Sequence, residues 1–422
     1  MTHLVRPAGP DDLTALPALE EAADEVFAAH GIGPLPPGAA GVEELGRAAH
    51  LLVAGDPVVG FARLDVVDGA AHLEQLSVLP TAARREVGGA LVEAAAAWAA
   101  RAGHESLTLC TFADVPWNGP FYARRGFVAV TDPGPGLRAL RATERRLGLD
   151  GVGRRVVMRR GVGPWSALGD LASGLAAALG THLLGLWAHG SLVGGDFDPA
   201  RSDLDVLAVV ARAPDAAVLE AVTPALAVVE RRHPAWRGRI EVETVGLPTL
   251  RAAAEGVGAT EEPADAILRV SPGEALHLLP ATPHRVLTWA SVRSRSTPLA
   301  GPAAADVIPE FPPALPRAAL LAHVRDWPVW VEGMQGPGGQ AYAVLSICRA
   351  WCALVEGEQR SKREAADRFA GSASPDDAGL VRWARDWWYA GGADDEPGRF
   401  DAVRDLVGRT SRQLLAREGP TQ

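Results

Sequence analysis

The chain has 422 residues, a length that suggests two or three domains, and its formal net charge is −10. With that charge and no basic stripe, the sequence argues against a nucleic-acid partner. No apolar run approaches the roughly 20 residues that a membrane helix needs, and the N-terminal residues show no signal-peptide pattern. Three cysteines lack the spacing of a metal site, Cys110, Cys348 and Cys352, so we expect a reducing, cytoplasmic location.

The first 162 residues alternate between strand-like and helix-like segments. Alternating or continuous apolar runs predict strands at 51–55, 57–66, 72–79 and 106–112, and the Ala-rich stretch 90–102 predicts an amphipathic helix. Before that helix lies the loop A-R-R-E-V-G, which contains Arg84 and Arg85. A strand, a loop with arginines and a helix N-terminus together form an anion site, because unpaired N–H groups and the helix dipole face the ligand.

This stretch resembles the GNAT acetyltransferase family, which binds the pyrophosphate of acetyl-CoA at such a loop with the pattern Q/R-x-x-G-x-G/A. The resemblance covers most of residues 4–160. Only the second glycine of the pattern is kept, as Gly88, whereas Glu86 replaces the first glycine and Ala83 replaces the Gln or Arg. The resemblance implies a set of residues that contact acetyl-CoA, namely Leu76, Val78, Arg84, Arg85, Gly88, Gly89 and Asn118.

The segment F-Y-A-R-R-G-F, residues 121–127, strengthens this resemblance. In the family its tyrosine, here Tyr122, lies near the departing thiolate and serves as general acid. Glu74, on the central strand, is the candidate base that takes the proton of a primary amine through water. Two simpler interpretations stay open: Tyr122 as a packed core residue, and Glu74 as a solvent-facing strand residue.

A second motif lies in residues 185–205. The apolar run 183–188 ends at Gly190-Ser191, and a loop rich in Gly and Asp leads to Asp203 and Asp205, which open a second apolar run. Both runs predict buried strands. Since residues two apart on a strand point to one side, the two carboxylates lie together, and Mg²⁺ prefers one or two carboxylates plus phosphate oxygens. Gly190 allows close approach of a ligand, and the Ser191 hydroxyl can hold a phosphate.

A third acid comes from the alternating strand 238–245, which places Glu241 and Glu243 on one face. One of them can reach the metal or deprotonate a hydroxyl. In this order the motifs resemble the nucleotidyltransferase superfamily, whose signature is G-S, a loop, D-x-D and a later acidic residue on a strand. The alternative is a surface Asp pair at the edge of a strand.

The C-terminal part changes character after residues 296–316, where six prolines predict a linker or an extended crossing segment. Helical patterns then follow, and short loops between them predict an antiparallel bundle. The segment Q-A-Y-A-V-L-S-I-C-R-A-W, followed by S-K-R-E-A, resembles the C-terminal helical domain of the aminoglycoside adenylyltransferases that modify streptomycin and spectinomycin.

This resemblance assigns roles over roughly residues 170–418. It implies that ATP phosphates are bound by four residues, Ser191, Ser202, Arg349 and Lys362, and that Tyr389 contacts the nucleotide. Magnesium is assigned to Asp203 and Asp205, and base catalysis to Glu241, with Glu243 as the alternative base. Streptomycin-modifying members carry acidic residues before the "C-R" helix, but this chain has M-Q-G-P-G-G there, which leaves open another aminoglycoside or a substrate that is not an antibiotic.

The sequence therefore predicts a multidomain chain: an α/β GNAT fold at 1–162, an α+β nucleotidyltransferase core at 165–295 and an α-helical bundle at 317–418. The expected activities are ATP- and Mg²⁺-dependent adenylylation of a hydroxyl on an aminoglycoside-like cation, and acetyl-CoA-dependent N-acetylation of a primary amine. Two alternatives remain: the acetyltransferase is the main activity, or a non-catalytic, CoA-sensing domain regulates the nucleotidyltransferase.

Overall fold

The computed structural model describes residues 4–33, 35–36, 40–83, 86–256, 266–271, 274–393 and 398–417. The chain divides into two compact units. The first comprises Met1–Leu171, Pro199–Arg201 and Ala225–Arg237, and the second comprises Ala172–Asp198, Ser202–Pro224 and Gly238–Gln422. The three predicted domain boundaries stay predictions. Among the described residues, no helix combines the length and the apolar character that crossing a membrane requires.

The first unit is built on a seven-stranded sheet with the order β1-β2-β3-β4-β5-β7-β6. Its strands are β1 (Val5–Pro7), β2 (His50–Ala54), β3 (Gly60–Val67), β4 (Ala70–Val78), β5 (Ser106–Phe112), β6 (Val128–Ala129) and β7 (Arg155–Gly161). Its helices are α1 (Leu16–Ala29), α2 (Val42–Leu45), α3 (Val87–Arg101), α4 (Gly119–Ala123), α5 (Pro135–Arg146) and α6 (Leu149–Val152).

Two irregularities of this sheet lie at its centre. β4 and β5 run parallel and pair only over Ala71–Leu73 with Leu107–Leu109. On the other side of β4, the register with β3 steps from Arg63–Gln75 to Leu64–Leu73. Glu74 is therefore the extra residue of a β-bulge, a feature that re-aims a side chain out of the regular alternation.

The apolar face of α3 explains how the sheet is covered. Leu91, Val92, Ala95 and Ala99 are fully buried and recur at helical spacing, as the predicted amphipathic helix requires. A second group of buried residues packs under α1: Leu16, Leu19, Leu45, Val53 and Phe61.

The second unit contains a six-stranded sheet with the order β12-β11-β10-β9-β8-β13. Its strands are β8 (Leu183–Ala188), β9 (Leu204–Val210), β10 (Ile240–Gly246), β11 (Ala266–Val270), β12 (His277–Pro280) and β13 (Thr297–Ala300). Accompanying helices are α8 (Gly190–Gly194), α10 (Leu247–Ala254), α11 (Arg285–Ser294) and α12 (Ala304–Val307), whereas α7 (Pro164–Leu179) and α9 (Ala216–Arg232) contribute residues to both units.

The structure defines the secondary structure of two segments that the sequence left open. Part of the Pro-rich stretch is not a free linker, because β13 pairs antiparallel with β8 at the edge of the sheet. Pro302 also accepts a hydrogen bond of 3.0 Å from the buried indole of Trp187. The apolar pattern of residues 284–292 fits a strand or a short helix, and in the structure Arg285–Ser294 form helix α11, in which Trp289 is buried.

Five helices complete the second unit, as predicted: α13 (Ala314–Trp330), α14 (Pro337–Trp351), α15 (Lys362–Ser372), α16 (Pro375–Ala390) and α17 (Phe400–Arg417). α14 is the central helix, and nine of its fifteen residues are buried. Cys348 and Cys352 are free thiols at 0% exposure in this core. α14 ends in a short π-helical turn, Cys352–Glu356, that leads to the loop before α15.

Candidate active sites

Three carboxylates lie together where the two central strands of the second sheet, β9 and β10, begin. β9 and β10 are parallel, and their register places Glu241 directly opposite Asp205. Asp203 precedes β9 by one residue, so it projects to the same side as Asp205. The predicted convergence of the Asp pair and the later Glu is thus the arrangement that the two strands produce.

The charges of these three carboxylates favour a bound cation. The pKa of Asp205 is raised to about 7 by burial and then by the charges of Glu241 and Asp203. Burial also raises the pKa of Asp203. Among the residues that the structure describes, no group of three His, Cys, Asp or Glu side chains could hold a metal ion unaided. A pair of carboxylates that shares an ion with substrate phosphates fits Mg²⁺ rather than a fully protein-coordinated metal.

Gly190 makes room for this pair. Its φ is +67°, and a Cβ atom added there would lie 1.9 Å from Oδ2 of Asp205. The preceding residue, His189, donates its backbone N–H to the carbonyl of Asp205 at 3.0 Å. The Gly-Ser turn and the second Asp are therefore fitted to each other, and only glycine satisfies both the dihedral and the close approach.

The two candidate bases differ in how they are held. Glu243 is 3% exposed and accepts hydrogen bonds from Arg285 (2.8 Å) and from the indole of Trp289 (2.6 Å). Glu241 is only half-buried and bonds Arg269 at 3.0 Å through one oxygen, Oε1. Because Glu243 is committed to two internal donors, Glu241 has the better geometry for accepting a substrate proton.

Two cations face the carboxylates. The Lys362 ammonium lies 4.0 Å from the ring centroid of Trp388 and 5.3 Å from that of Tyr342. Burial and then the charge of Arg349 lower its pKa to about 8, against the opposing effect of Asp205. Nε of Arg349 donates to the carbonyl of residue 360 at 3.2 Å, which fixes its guanidinium at the end of α14.

A cavity of about 410 Å³ lies beside these groups, and its walls include Asp205, Glu241, Arg349 and Tyr342. His323 also lines it, with a buried Nδ1 that has no hydrogen-bond partner among the described residues. That volume lies within the range of small-molecule sites. The cavity therefore offers anionic, cationic and aromatic groups to one bound molecule.

The remaining predicted nucleotide contacts border the loop between α8 and β9. The carbonyl of Ser191 accepts from the backbone N–H of Asp196 at 3.1 Å. The Ser202 hydroxyl accepts from the N–H of Asp198 at 3.0 Å. The hydroxyl of Tyr389 donates to the carboxylate of Asp196. Sequence reasoning missed Asp196, although the Gly- and Asp-rich loop was the available signal.

The first unit contains a second polar cluster at the bulge of β4. Oε2 of Glu74 lies 3.4 Å from Nε2 of His72, a residue at 1% exposure. Nδ1 of His72 is 2.8 Å from the Thr108 hydroxyl, which donates to the carbonyl of Ala71 at 3.1 Å. Both contacts are satisfied together when Nδ1 carries the proton, and in the neutral imidazole Nε2 then has no proton to donate to Glu74. Burial raises the pKa of Glu74.

Tyr122 lies in α4, and Asn118 immediately precedes this helix. Tyr122 is buried, with Phe121 and Phe127 at 5.1 and 5.6 Å between ring centroids. Burial raises the pKa of its hydroxyl. The amide nitrogen of Asn118 donates to Thr111 at 2.9 Å, and its buried Oδ1 has no partner among the described residues. The orphaned oxygen suits a ligand donor.

The loop before α3 departs from the family pattern in a specific way. Glu86 has φ +60°, in the left-handed region that glycine adopts readily, and it directly precedes the first helical residue. Gly89 lies under Arg125, since a Cβ there would be 2.5 Å from Nη2. Gly88, Leu76 and Val78 are half-buried at the same end of α3 and β4. Arg84 and Arg85 lie outside the described residues.

Comparisons with known families match two parts of the chain. Residues 19–127 match the model of the acetyltransferase (GNAT) family. Residues 306–413 match the model described as aminoglycoside adenylyltransferase, C-terminal domain.

Solved structures similar to parts of this chain include a spectinomycin adenyltransferase from Enterococcus faecialis with ATP and spectinomycin. It is 13% identical, with a TM-score of 0.48, and the match covers 59% of this chain and 99% of that chain. The PaiA N-acetyltransferase of Thermoplasma acidophilum, in complex with coenzyme A, is 16% identical, with a TM-score of 0.29 and coverage of 38% and 99%. A GCN5-related N-acetyltransferase from Rhodopseudomonas palustris is 23% identical, with a TM-score of 0.28 and coverage of 38% and 96%.

Proposed function

Because this chain contains a GNAT acetyltransferase domain and an aminoglycoside adenylyltransferase C-terminal region, we propose that it is a bifunctional transferase. Its second unit transfers AMP from ATP to a hydroxyl of an aminoglycoside-like cation. Its first unit transfers an acetyl group from acetyl-CoA to a primary amine.

The observation that carries AMP transfer by the second unit is the pairing of Glu241 with Asp205 across parallel strands, in a cavity that also contains Arg349. Transfer of a nucleotidyl group needs charge neutralisation on the phosphates and a base beside the attacking hydroxyl. Carboxylates on one side and the cations Arg349 and Lys362 on the other meet both needs within one site.

Each residue then has a defined task. Glu241 accepts the proton of the acceptor hydroxyl, while Arg269 keeps its carboxylate oriented. Lys362 and Arg349 bind the phosphates and neutralise the charge that develops on them. Magnesium, held by Asp203 and Asp205, would add Lewis-acid stabilisation at the α-phosphate.

The acidic groups on the sheet side of the cavity support a cationic acceptor. Asp205, Glu241 and Glu243 line the wall formed by the sheet. An acidic wall attracts a polycation and orients its hydroxyls towards the phosphates. We infer that the acceptor is a hydroxylated, amine-bearing ring compound of aminoglycoside type.

The experiment is incubation of the purified full chain with ATP labelled at the α-phosphate, Mg²⁺ and a panel of aminoglycosides and aminocyclitols. The expected result is one or more labelled products together with pyrophosphate release, and loss of both in Glu241→Gln. Absence of transfer to every member of the panel, or full turnover by Glu241→Gln, would contradict the proposal.

Acetyl transfer by the first unit is supported by Glu74, at the bulge of β4, and by the buried Tyr122 of α4. Glu74 takes the amine proton, and Tyr122 protonates the leaving thiolate. Release of free CoA thiol from acetyl-CoA with the same amine panel tests it. Binding of CoA without thiol release would favour a CoA-sensing domain. If calorimetry detects no binding of acetyl-CoA, the first unit serves only as a scaffold.

A further inference from the structure

Asp196 is the residue on which the second unit's loop and two of its helices converge. It follows Gly195 in the loop between α8 and β9, and its side chain is 10% exposed. Its carboxylate accepts from the Tyr389 hydroxyl and from the backbone N–H of Arg363 at 3.4 Å, and its Oδ1 lies 3.5 Å from Nε of Arg363. A single carboxylate thus holds α15, through Arg363, and the end of α16, through Tyr389.

The contact with α15 has a clear electrostatic basis. Ser361 caps this helix through the N–H of Glu364, and Asp196 takes the N–H of Arg363 one residue earlier. A carboxylate at a helix N-terminus is stabilised by unpaired N–H groups and by the helix dipole. The guanidinium of Arg363 also stacks on Tyr389, 3.8 Å from its ring centroid, so the three side chains form one closed set.

This set borders three predicted nucleotide contacts. The backbone N–H of Asp196 bonds the carbonyl of Ser191, and Lys362 is the chain neighbour of Arg363. Tyr389 is itself the third predicted contact. Ser191 comes from the turn after β8, Lys362 from α15 and Tyr389 from α16. Without a common anchor, three elements distant in sequence would have to be ordered when the nucleotide binds.

We propose that Asp196 is the positioning residue that holds the Gly-Ser loop to α15 and α16, so that Ser191 and Lys362 meet the ATP phosphates in one prearranged geometry. This inference rests on the proposed adenylyl transfer. Asp196 does not itself bind phosphate, since a carboxylate there would repel it. It acts by removing the ordering cost of the loop before ATP arrives.

The test compares Asp196→Ala and Asp196→Asn with the wild-type chain in ATP binding by calorimetry and in AMP-transfer kinetics. Asp196→Ala should weaken ATP binding on the order of tenfold, the size expected for losing hydrogen bonds to a charged group. Asn keeps one acceptor oxygen and should recover part of the affinity. The KM for the acceptor should stay unchanged, because the defect lies in nucleotide binding.

A double-mutant cycle with Tyr389→Phe separates positioning from independent effects. If Asp196 acts through Tyr389, the double variant Asp196→Ala/Tyr389→Phe should bind ATP no more weakly than Asp196→Ala alone. Multiplication of the two single effects would overturn the proposal, as would unchanged ATP affinity in Asp196→Ala.

Asp367→Ala is the matched control. Asp367 lies on the same helix, α15, and pairs at the surface with Arg385 of α16, so its removal loosens the same helix pair away from the loop. It should leave ATP affinity at the wild-type value, whereas an equal loss would attribute the Asp196 effect to helix packing and overturn the proposal. A wild-type chain that neither binds ATP nor transfers AMP would overturn the proposed function itself.

Discussion

The carboxylate of Glu86 lies 3.4 Å from the guanidinium of Arg125, directly before the first turn of α3. The sequence comparison with the GNAT pattern places the first glycine of the phosphate loop at this position. The left-handed φ of +60° explains why glycine suits it, since a side chain there is strained. Glu86 therefore adds both backbone strain and a negative charge at a helix N-terminus suited to a phosphate.

Glu86→Gly should increase the affinity for CoA several-fold. The substitution removes a negative charge that repels the CoA phosphates from the N-terminus of α3, and it frees Arg125 to face the ligand. Release of the left-handed strain should also raise the free energy of unfolding by up to about 1 kcal/mol. Calorimetry with CoA and thermal unfolding measure the two effects separately.

Glu86→Gln is the companion variant, because it removes the charge but keeps the strained backbone. If charge repulsion limits binding, both variants should bind CoA more tightly, and only the glycine variant should be more stable. Weaker CoA binding in both would instead mean that Glu86 helps to hold the ligand through Arg125.

Gly190→Ala should strongly reduce AMP transfer. The new Cβ would lie 1.9 Å from Asp205 Oδ2 at a φ of +67°, so either the turn or the carboxylate must move. We expect a loss of activity on the order of a hundredfold, as for misplacement of reacting groups by about an ångström, with a stability cost of about 1–2 kcal/mol.

Gly194→Ala tests the specificity of that prediction. Gly194 lies in the same short helix, α8, but a Cβ there meets nothing within 4 Å. Its replacement should leave both activity and unfolding temperature near the wild-type values. Comparable losses in the two variants would show that the turn is merely intolerant of alanine.

Much of this architecture could be predicted from local sequence signals. The five C-terminal helices, the Gly-Ser turn and the alternating strand with Glu241 follow from apolar periodicity and from turn residues. The resemblances to the GNAT family and to the C-terminal domain of the aminoglycoside adenylyltransferases are confirmed by the matches over residues 19–127 and 306–413.

Features that depend on partners distant in sequence were not predictable in the same way. The bulge at Glu74 is visible only in the register between β3 and β4. Arg269 holds Glu241 because β11 pairs with β10, and nothing near Arg269 in sequence indicates that pairing. Asp196 is one of several acidic residues in its loop, and its contact with Tyr389 is visible only in the folded chain.

Asp205→Asn should eliminate AMP transfer without destabilising the fold. The substitution preserves shape but removes a carboxylate whose burial beside Glu241 and Asp203 is unfavourable in the absence of a cation. We expect turnover to fall at least a thousandfold, comparable to the loss of a key electrostatic group, and the unfolding temperature to stay equal or rise.

Asp215→Ala should show the opposite pattern. Asp215 accepts the N–H of Val218 at 3.0 Å and so caps the start of α9. Loss of such a cap costs about 1 kcal/mol, yet the residue has no role in the proposed chemistry. If Asp205→Asn retained turnover, or if Asp215→Ala lost it at a temperature where the chain is folded, the assignment of the carboxylates would be wrong.

His72 should make the first unit less stable in mild acid. Burial lowers its pKa to about 4 from the ordinary 6.5. Between these two values the unfolded chain binds a proton that the folded chain excludes, so the free energy of unfolding decreases as pH falls from 6.5 towards 4. The full span of this effect is on the order of 3 kcal/mol. Glu74 acts in the opposite direction, since its raised pKa favours protonation of the folded state, but its partial exposure weakens that effect.

His72→Asn isolates this contribution, because the amide keeps a donor for Thr108 and does not titrate. At pH 7 the variant should be less stable than the wild-type chain, and the difference should shrink as the pH is lowered to 4.5. Scanning calorimetry across that range measures it, with His30→Asn as a control at an exposed histidine of the same unit. A difference that stays constant with pH would mean that His72 is not held neutral, and Nε2 would then carry a proton that faces Glu74.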